Sequence, residues 1–90
     1  MRVCVLGHVV VAETADPVPG AAVFFDGRDE RGRRVRLVTR TDDDGVFTVL
    51  EPPPGVYRLA IYKDARHVEA RGLALGAPGT TVIPVRLGRR

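Results

Sequence analysis

The acidic run DDDG, which ends at Gly45, is the densest group of potential metal ligands in the sequence. If Gly45 stood at position six of an EF-hand calcium loop, Asp42 and Asp44 would stand at positions three and five. Glu51 would then supply the ligand at position twelve. Position one, however, would be Arg40, a cation where the loop requires an oxygen ligand. We therefore expect no metal site, and a weak surface calcium site is the alternative.

The same residues are well suited to a tight turn between two strands. An Asp side chain accepts hydrogen bonds from nearby backbone N–H groups, and glycine adopts a positive φ without steric cost. We therefore predict a structural role for Asp42, Asp44 and Gly45. The run EPPPG predicts a second structural turn, completed by Pro54 and Gly55, because proline cannot donate to a strand ladder.

Nucleophilic catalysis finds no support in the residue types. The chain has no serine, and Cys4 is its only cysteine, which excludes an internal disulfide and a cysteine-based zinc site. Cys4 and His8 share an apolar run, where we expect a buried, inert thiol; on one strand face they would lie about 13 Å apart, too far for a hydrogen bond. His67 has no neighbouring partner for acid–base chemistry. We expect no catalytic residue, no cofactor and no enzymatic activity.

The charge balance argues against nucleic-acid and membrane partners. The formal net charge is +3 and the pI about 9.8, but eleven acidic residues offset fourteen basic ones. The densest basic run, 31–36, follows several acidic residues, and no aromatic residues interleave with it to stack bases. No stretch approaches the roughly 20 apolar residues of a membrane helix, and the start does not resemble a secretory signal. If the chain is complete, we expect a cytoplasmic protein.

Hydrophobic alternation predicts short strands between glycine- and proline-rich turns, with no helical period. The predicted strands cover residues 2–12, 21–25, 35–41, 46–50, 56–63, 67–75 and 80–87. Residues 26–33 are predicted to form a polar connection, Gly72 to break the sixth strand, and Pro84 to place the last strand at an edge or bulge. This pattern describes an all-β fold, a seven-stranded antiparallel β-sandwich. It predicts a single domain over residues 1–90, with a core within 3–87.

The first strand is apolar on both faces, although only one face can point into the core. Four side chains on later strands should fill that core: Phe47, Tyr57, Leu59 and Ile61. The outer face of the first strand is then left for another surface to cover. We predict an interaction surface that combines this face with outward apolar residues of two other strands. Its residues are Cys4, Leu6, His8, Val10, Phe24 and Val38.

Four segments of the sequence together resemble a known family. They are GHVV at 7–10, PVPGAAV at 17–23, TDDDGVF at 41–47 and PPGVYRLAI at 53–61. Their order resembles the carboxypeptidase regulatory-like domain, within the wider group of transthyretin-like (prealbumin-like) β-sandwiches. The resemblance implies a transthyretin-like or immunoglobulin-like Greek key. It also implies a small accessory module without chemistry of its own, which supports a catalytic domain or mediates binding.

Two other families that share this fold fit the residues less well. The transthyretin-like hydrolase of purine breakdown has a histidine motif in its first strand and ends in Tyr-Arg-Gly-Ser. This chain offers His8 but ends in LGRR. The self-crosslinking collagen-adhesin B-type repeat joins Lys to Asn, whereas this chain has no Asn and Lys63 is its only lysine.

We therefore expect a non-catalytic module that binds another protein, or itself, through a sheet edge or an apolar face. A dimer through the first-strand face would sediment at micromolar concentration as a species larger than the 9.8 kDa chain. The alternative is recognition of a glycan or peptide by the loops at one end, in a cleft lined by Tyr62 or arginines. A transthyretin-like hydrolase is the third reading. We expect no small-molecule ligand, nucleic acid or membrane partner.

Overall fold

The computed structural model describes residues 3–88, in which every regular element is a β-strand. The strands are β1 (Val3–Val11), β2 (Ala22–Asp29), β3 (Arg34–Arg40), β4 (Val46–Leu50), β5 (Gly55–Lys63), β6 (Arg66–Leu75) and β7 (Gly79–Leu87). The prediction of seven strands is confirmed, and six of them agree with the predicted bounds to within one residue at each end. This part of the chain has no helix of the length and apolarity that a membrane crossing requires.

The strands form two sheets that face each other across one core. The small sheet has the strand order β4-β1-β7, and the large sheet has the order β3-β2-β5-β6. All ladders are antiparallel except the one between β1 and β7, which runs parallel from Val3 opposite Gly79 to Val11 opposite Leu87. The sandwich is confirmed, and this one pair differs from the antiparallel arrangement expected. Apolar and polar residues alternate with a period of two in parallel and antiparallel strands alike. The alternation therefore does not indicate the relative direction of two paired strands.

Strand β2 is longer than predicted, because residues 26–29 continue the strand instead of starting a loop. Asp26 pairs with Arg36 and Arg28 pairs with Arg34 across the β2–β3 ladder, which leaves only residues 30–33 for the turn. Polar side chains suit a strand that has one face in solvent, and cross-strand opposite charges add to its stability. The polarity of this segment therefore led to a wrong boundary.

Two irregularities predicted from glycine and proline are confirmed. The β5–β6 register shifts between Tyr57 and Leu59, and Gly72 lies in the resulting bulge of β6 with φ +71. Two residues of β6 there face one residue of β5, and glycine takes the positive φ without strain. Pro84 lies in β7, an edge strand of the small sheet, where proline is tolerated.

The core lies between the inner faces of the two sheets. All four predicted core side chains are buried, with exposed fractions of 3% or less: Phe47, Tyr57, Leu59 and Ile61. The ring of Phe25 joins them, with its centroid 6.0 Å from that of Phe47 and 6.4 Å from that of Tyr57. Burial of one such side chain contributes roughly 1.5–3 kcal/mol. Because Phe47 comes from the small sheet and Phe25 from the large one, this cluster holds the two sheets together.

Candidate interaction surfaces

The outer face of the small sheet has no Asp, Glu, Lys or Arg along three consecutive rows of paired residues. The rows are Leu50–Cys4–Thr80, Thr48–Leu6–Val82 and Val46–His8–Pro84. We call these nine residues the uncharged face. Leu50 is 67% exposed, Val82 63% and Leu6 36%. Because these side chains lie on neighbouring strands, they form one continuous apolar patch.

Four of the predicted surface residues lie along β1 on this side of the small sheet: Cys4, Leu6, His8 and Val10. The side chains of Leu6 and His8 are exposed, whereas Cys4 and Val10 are half-buried. Cys4 therefore faces outward and is not the buried core thiol that the apolar run suggested. Val10 lies just beyond the uncharged face, where it forms an isolated bridge with Pro17.

Phe24 and Val38, the other two predicted surface residues, lie on the opposite side of the sandwich. They are direct partners in the β2–β3 ladder and face outward from the large sheet. The single predicted surface is therefore two surfaces, separated by the core. Alternation along a strand distinguishes inward from outward positions, but it does not indicate which of the two sheets the strand joins.

The outer face of the large sheet is dominated by arginine. Register and alternation place five exposed arginine side chains on it: Arg28, Arg34, Arg36, Arg40 and Arg58. Two acidic side chains share this face, Asp26 and Glu69, so the five arginines of β2, β3 and β5 outnumber the acids on it. An apolar row crosses the face between Arg36 and Arg40. It consists of Val38, Phe24 and Ala60. We call this surface the arginine face.

Asp26 lies between the arginines of both neighbouring strands. Its Oδ2 is 3.2 Å from Nη2 of Arg34 and 3.9 Å from Nη2 of Arg36. The side-chain hydrogen bond from Arg34, aided by the nearby guanidinium charges, lowers the pKa of Asp26 below its ordinary value of 3.8. The same hydrogen bond raises the pKa of Arg34. Asp26 therefore stays ionised at neutral pH and orients these arginines.

Aromatic rings meet at one end of the arginine face. The rings of Tyr62 and His67 stack, with centroids 5.1 Å apart and 13° between their planes. Phe24 contacts Tyr62 edge to face, with centroids 5.9 Å apart. His67, for which the sequence indicated no partner, lies opposite Tyr62 in the β5–β6 ladder, and its Nε2 is 3.7 Å from Oε2 of Glu69. Ala60 points outward as expected but is only 3% exposed, since larger neighbours cover it.

The acidic turn is held by hydrogen bonds within itself. Oδ1 of Asp42 accepts from the backbone N–H groups of Asp44 and Val46, each at 2.9 Å. Gly45 has φ +77, and a Cβ on it would lie 2.5 Å from the carbonyl oxygen of Val9. These contacts give the turn a structural role, to which Asp44 contributes its backbone N–H. Within residues 3–88, no three His, Cys, Asp or Glu side chains are grouped so that they could hold one metal ion.

The proline-rich corner packs closely against the rest of the sandwich. Oη of Tyr57 donates a hydrogen bond of 2.6 Å to the carbonyl oxygen of Pro53, and burial raises the pKa of Tyr57. A Cβ on Gly55 would overlap a backbone oxygen of β2. A Cβ on Gly76 would lie 2.7 Å from Cα of Pro54. Pro54 and Gly55 thus fix the corner by close backbone approach.

A groove of about 370 Å³ opens at one end of the sandwich, between the loop after β1 and the β5–β6 turn. Lys63 and Arg66 line it together with apolar residues of the loop. Nη1 of Arg66 lies 2.8 Å from Oε1 of Glu13 and 3.2 Å from the carbonyl oxygen of Leu87. The sequence-based alternative placed a ligand cleft at such a loop end; an arginine does line this groove, but Tyr62 does not.

The model of the carboxypeptidase regulatory-like domain family matches residues 5–88. The chain belongs to this family. The match runs from β1 to just beyond the end of β7, so it includes the arginine face and, apart from Cys4, the uncharged face. The resemblance indicated by the four sequence segments is therefore confirmed. A comparison of this regulatory-like domain with curated proteins gave no significant match.

Solved structures that share the fold come from proteins of several kinds. The 3-chlorocatechol 1,2-dioxygenase of Rhodococcus opacus 1CP matches with a TM-score of 0.72 and 16% identity, over 99% of this chain and 60% of that chain. A putative carbohydrate binding protein from Bacteroides uniformis ATCC 8492 matches with a TM-score of 0.71 and 12% identity, over 93% and 40% of the two chains. BcpA, the major pilin subunit of Bacillus cereus, matches with a TM-score of 0.68 and 13% identity, over 100% and 31%.

These likenesses show the fold alone, because the identities are low. They confirm the β-sandwich fold of this regulatory-like domain. The domain spans 60% or less of the length of the three matched chains. In each of them, the equivalent region is therefore one part of a larger protein.

Proposed function

We propose that this domain is a non-catalytic interaction module that associates with protein through its uncharged face. The main support is that the nine residues of this face include no Asp, Glu, Lys or Arg. Two of the nine, Leu50 and Val82, are highly exposed apolar side chains. Burial of such a face removes apolar area from water, at about 25 cal/mol per Å², and desolvates no ionised carboxylate, guanidinium or ammonium group. A contiguous exposed apolar patch is typical of a surface that a partner covers.

The face is better suited to association than the sheet edges, because each edge strand has a feature that hinders pairing. Strand β4 has only five residues, and β7 contains Pro84, which lacks a backbone donor. Strand β3 has three arginines in seven residues, and β6 is interrupted by its bulge at Gly72. Short length, proline, charge and bulges all oppose the addition of a further strand.

A second copy of the domain is the partner that can be tested directly, since two uncharged faces meet without like-charge repulsion. Three strands about 4.8 Å apart, over five residues of about 3.3 Å each, give a face of roughly 240 Å². Stable interfaces bury about 800 Å² on each partner. Self-association through this face alone should therefore be weaker than the micromolar dimer expected from the sequence. A larger partner that also contacts the rim would bind more tightly.

Sedimentation velocity over a range of about 20 µM to 1 mM tests this proposal. We expect the average mass of the wild type to rise above 9.8 kDa with concentration. Val82→Glu should abolish the rise, because it places a charge on the face. Val38→Glu is the matched control, since Val38 is 62% exposed, much like Val82 at 63%, but lies on the opposite side. A wild type that stays monomeric throughout, or equal effects of the two substitutions, would contradict the proposal.

Recognition of a glycan or peptide in the end groove is a second candidate function. Its volume of about 370 Å³ falls within the range of roughly 300–1,000 Å³ that is typical of ligand sites. Lys63 and Arg66 supply hydrogen-bond donors for sugar hydroxyls or peptide carbonyls. Titration with neutral oligosaccharides should then shift the amide NMR signals of residues 63–66, and Ala65→Trp, which fills the groove, should remove the shifts. Unchanged signals for those residues would argue against this candidate.

A further inference from the structure

The arginine face has a chemistry different from that of the uncharged face, and it lies on the other side of the core. We propose that it binds an acidic, extended segment of a partner protein. This goes beyond the proposed function, which concerns only the small sheet. If both hold, the domain can contact two protein surfaces at once.

Charge is segregated over the molecule in a way that favours an acidic partner on this side. Nine acidic side chains of the chain lie in turns or at strand ends: Glu13, Asp16, Asp29, Glu30, Asp42, Asp43, Asp44, Glu51 and Asp64. The arginine face keeps five guanidinium groups against Asp26 and Glu69. Ion pairs with these two acids involve Arg34, Arg36 and Arg58, which leaves Arg28 and Arg40 without an acidic partner on this face. Because the positive charges outnumber the acids, the face attracts negative groups and excludes like-charged ones.

The spacing on β3 fits an extended acidic chain. Arg36 and Arg40 are exposed on either side of Val38, so basic, apolar and basic side chains follow one another on a single strand face. Side chains on the same face of an extended chain are about 6.6–6.8 Å apart, and this spacing is the same in β3 and in an extended partner segment. A partner segment in which acidic and apolar residues alternate could therefore place carboxylates at the arginines and an apolar side chain on Val38 and Phe24. Arginine binds carboxylates through two parallel N–H donors, which adds specificity.

The composition of the face favours protein over nucleic acid. Arginine and aromatic residues are enriched at the centres of protein interfaces, where lysine and acidic residues are depleted. Nonspecific binding of single-stranded nucleic acid uses free aromatic faces on which bases stack. Here one side of the Tyr62 ring is covered by His67, and Phe24 meets the ring edge to face. The Tyr62–His67 stack thus supports the sheet surface, and recognition of the acidic groups is left to the guanidinium groups.

Fluorescence anisotropy with three labelled probes tests the proposal. One peptide alternates Glu and Val, a second peptide alternates Glu and Gly, and the third probe is an oligothymidylate of equal charge. We expect the Glu/Val peptide to bind at least 3-fold more tightly than either of the others, with an affinity that falls as salt screens the charges.

The double variant R36Q/R58Q should weaken binding of the Glu/Val peptide at least 5-fold. The control double variant R31Q/R86Q removes equal charge outside the arginine face and should change binding less than 2-fold.

Glu69→Gln supplies an independent variant, because it raises the net charge of the face. It should strengthen binding of the Glu/Val peptide by about 2-fold, since Arg58 would lose its carboxylate partner. Equal losses in the two double variants would overturn the proposal and indicate attraction by net charge alone. Tighter binding of the oligothymidylate would also overturn it, in favour of nucleic acid. Neither result depends on the uncharged face, which none of these substitutions alters.

Discussion

Gly7 lies directly opposite Phe47 in the antiparallel β1–β4 ladder, and the Phe47 ring occupies the space that a Cβ on Gly7 would fill. The ring thereby packs over Gly7 on the inner face of β1 and reaches the core between the sheets. The glycine in GHVV is thus explained by packing, since its φ is not in the left-handed region. Without this gap, the aromatic cluster that joins the sheets could not form as it does.

Gly7→Ala should therefore destabilise the fold through overpacking. The added Cβ would overlap the Phe47 ring, and a strained core of this kind costs about 1–3 kcal/mol in the free energy of unfolding. Urea denaturation measures the change. Gly88→Ala, where a Cβ would meet nothing within 4 Å, is the control and should lie within about 0.5 kcal/mol of the wild type. Equal stability of the two variants would show that Phe47 does not depend on Gly7.

Thr41→Val should be destabilising although it preserves the shape of the side chain. Thr41 is 5% exposed; its Oγ1 donates to the carbonyl oxygen of Val18 at 2.6 Å and accepts from the N–H of Ala21 at 2.8 Å. Valine would leave both backbone groups without these partners, at a cost of about 2–4 kcal/mol. Thr39→Val, on the same strand side but without these two bonds, should change thermal stability little. A neutral Thr41→Val would contradict this role.

Asp29 should make the stability of the β2–β3 turn depend on pH. Its Oδ1 accepts from the N–H groups of Arg31 and Arg33, each at 2.9 Å, and its Oδ2 lies 3.0 Å from Nε of Arg33. The backbone hydrogen bond from Arg33 is the main cause that lowers the pKa of Asp29 below 3.8. A lowered folded-state pKa stabilises the protein above the unfolded-state value of about 3.8 and loses that contribution as pH falls through the folded-state value.

Asp29→Asn should therefore lower the urea midpoint at neutral pH, and its difference from the wild type should shrink below pH 3.8. Glu30→Gln, in the same turn, is the control for removal of a negative charge. Asp26 is shifted in the same direction by Arg34, so the wild type itself should lose stability in the same acidic range. If the urea midpoints of Asp29→Asn and the wild type differ by the same amount down to about pH 2, the ionised carboxylate of Asp29 does not stabilise the turn.

Most of the fold could be predicted from the sequence, because alternation and turn residues are local signals. The bounds of β4 and the burial of Phe47, Tyr57 and Leu59 follow from a period of two and from flanking glycine and proline. The parallel β1–β7 pair could not be predicted in this way, since it depends on how the chain crosses from one sheet to the other. The length of β2 was missed because charged residues such as Asp26 resemble a loop until their cross-strand partners are known.

The candidate surfaces could be predicted only in part, for the same reason. The outward residues of β1, such as Leu6 and His8, share one strand, so alternation alone groups them correctly. Phe24 and Val38 were assigned to the same surface but belong to the other sheet. The Tyr62–His67 stack depends on the register of the β5–β6 hairpin, which follows from its short turn. A search for tight hairpins in the sequence could have found it.

Concentration-dependent NMR tests most directly whether this domain associates through its uncharged face. Amide spectra would be recorded at about 50 µM and about 1 mM, and the shifts mapped onto the two sheets. We predict shifts in β1, β4 and β7 that centre on Leu6, Leu50 and Val82, together with unchanged signals on the arginine face. Shifts confined to the large sheet, or identical spectra at both concentrations, would contradict the account.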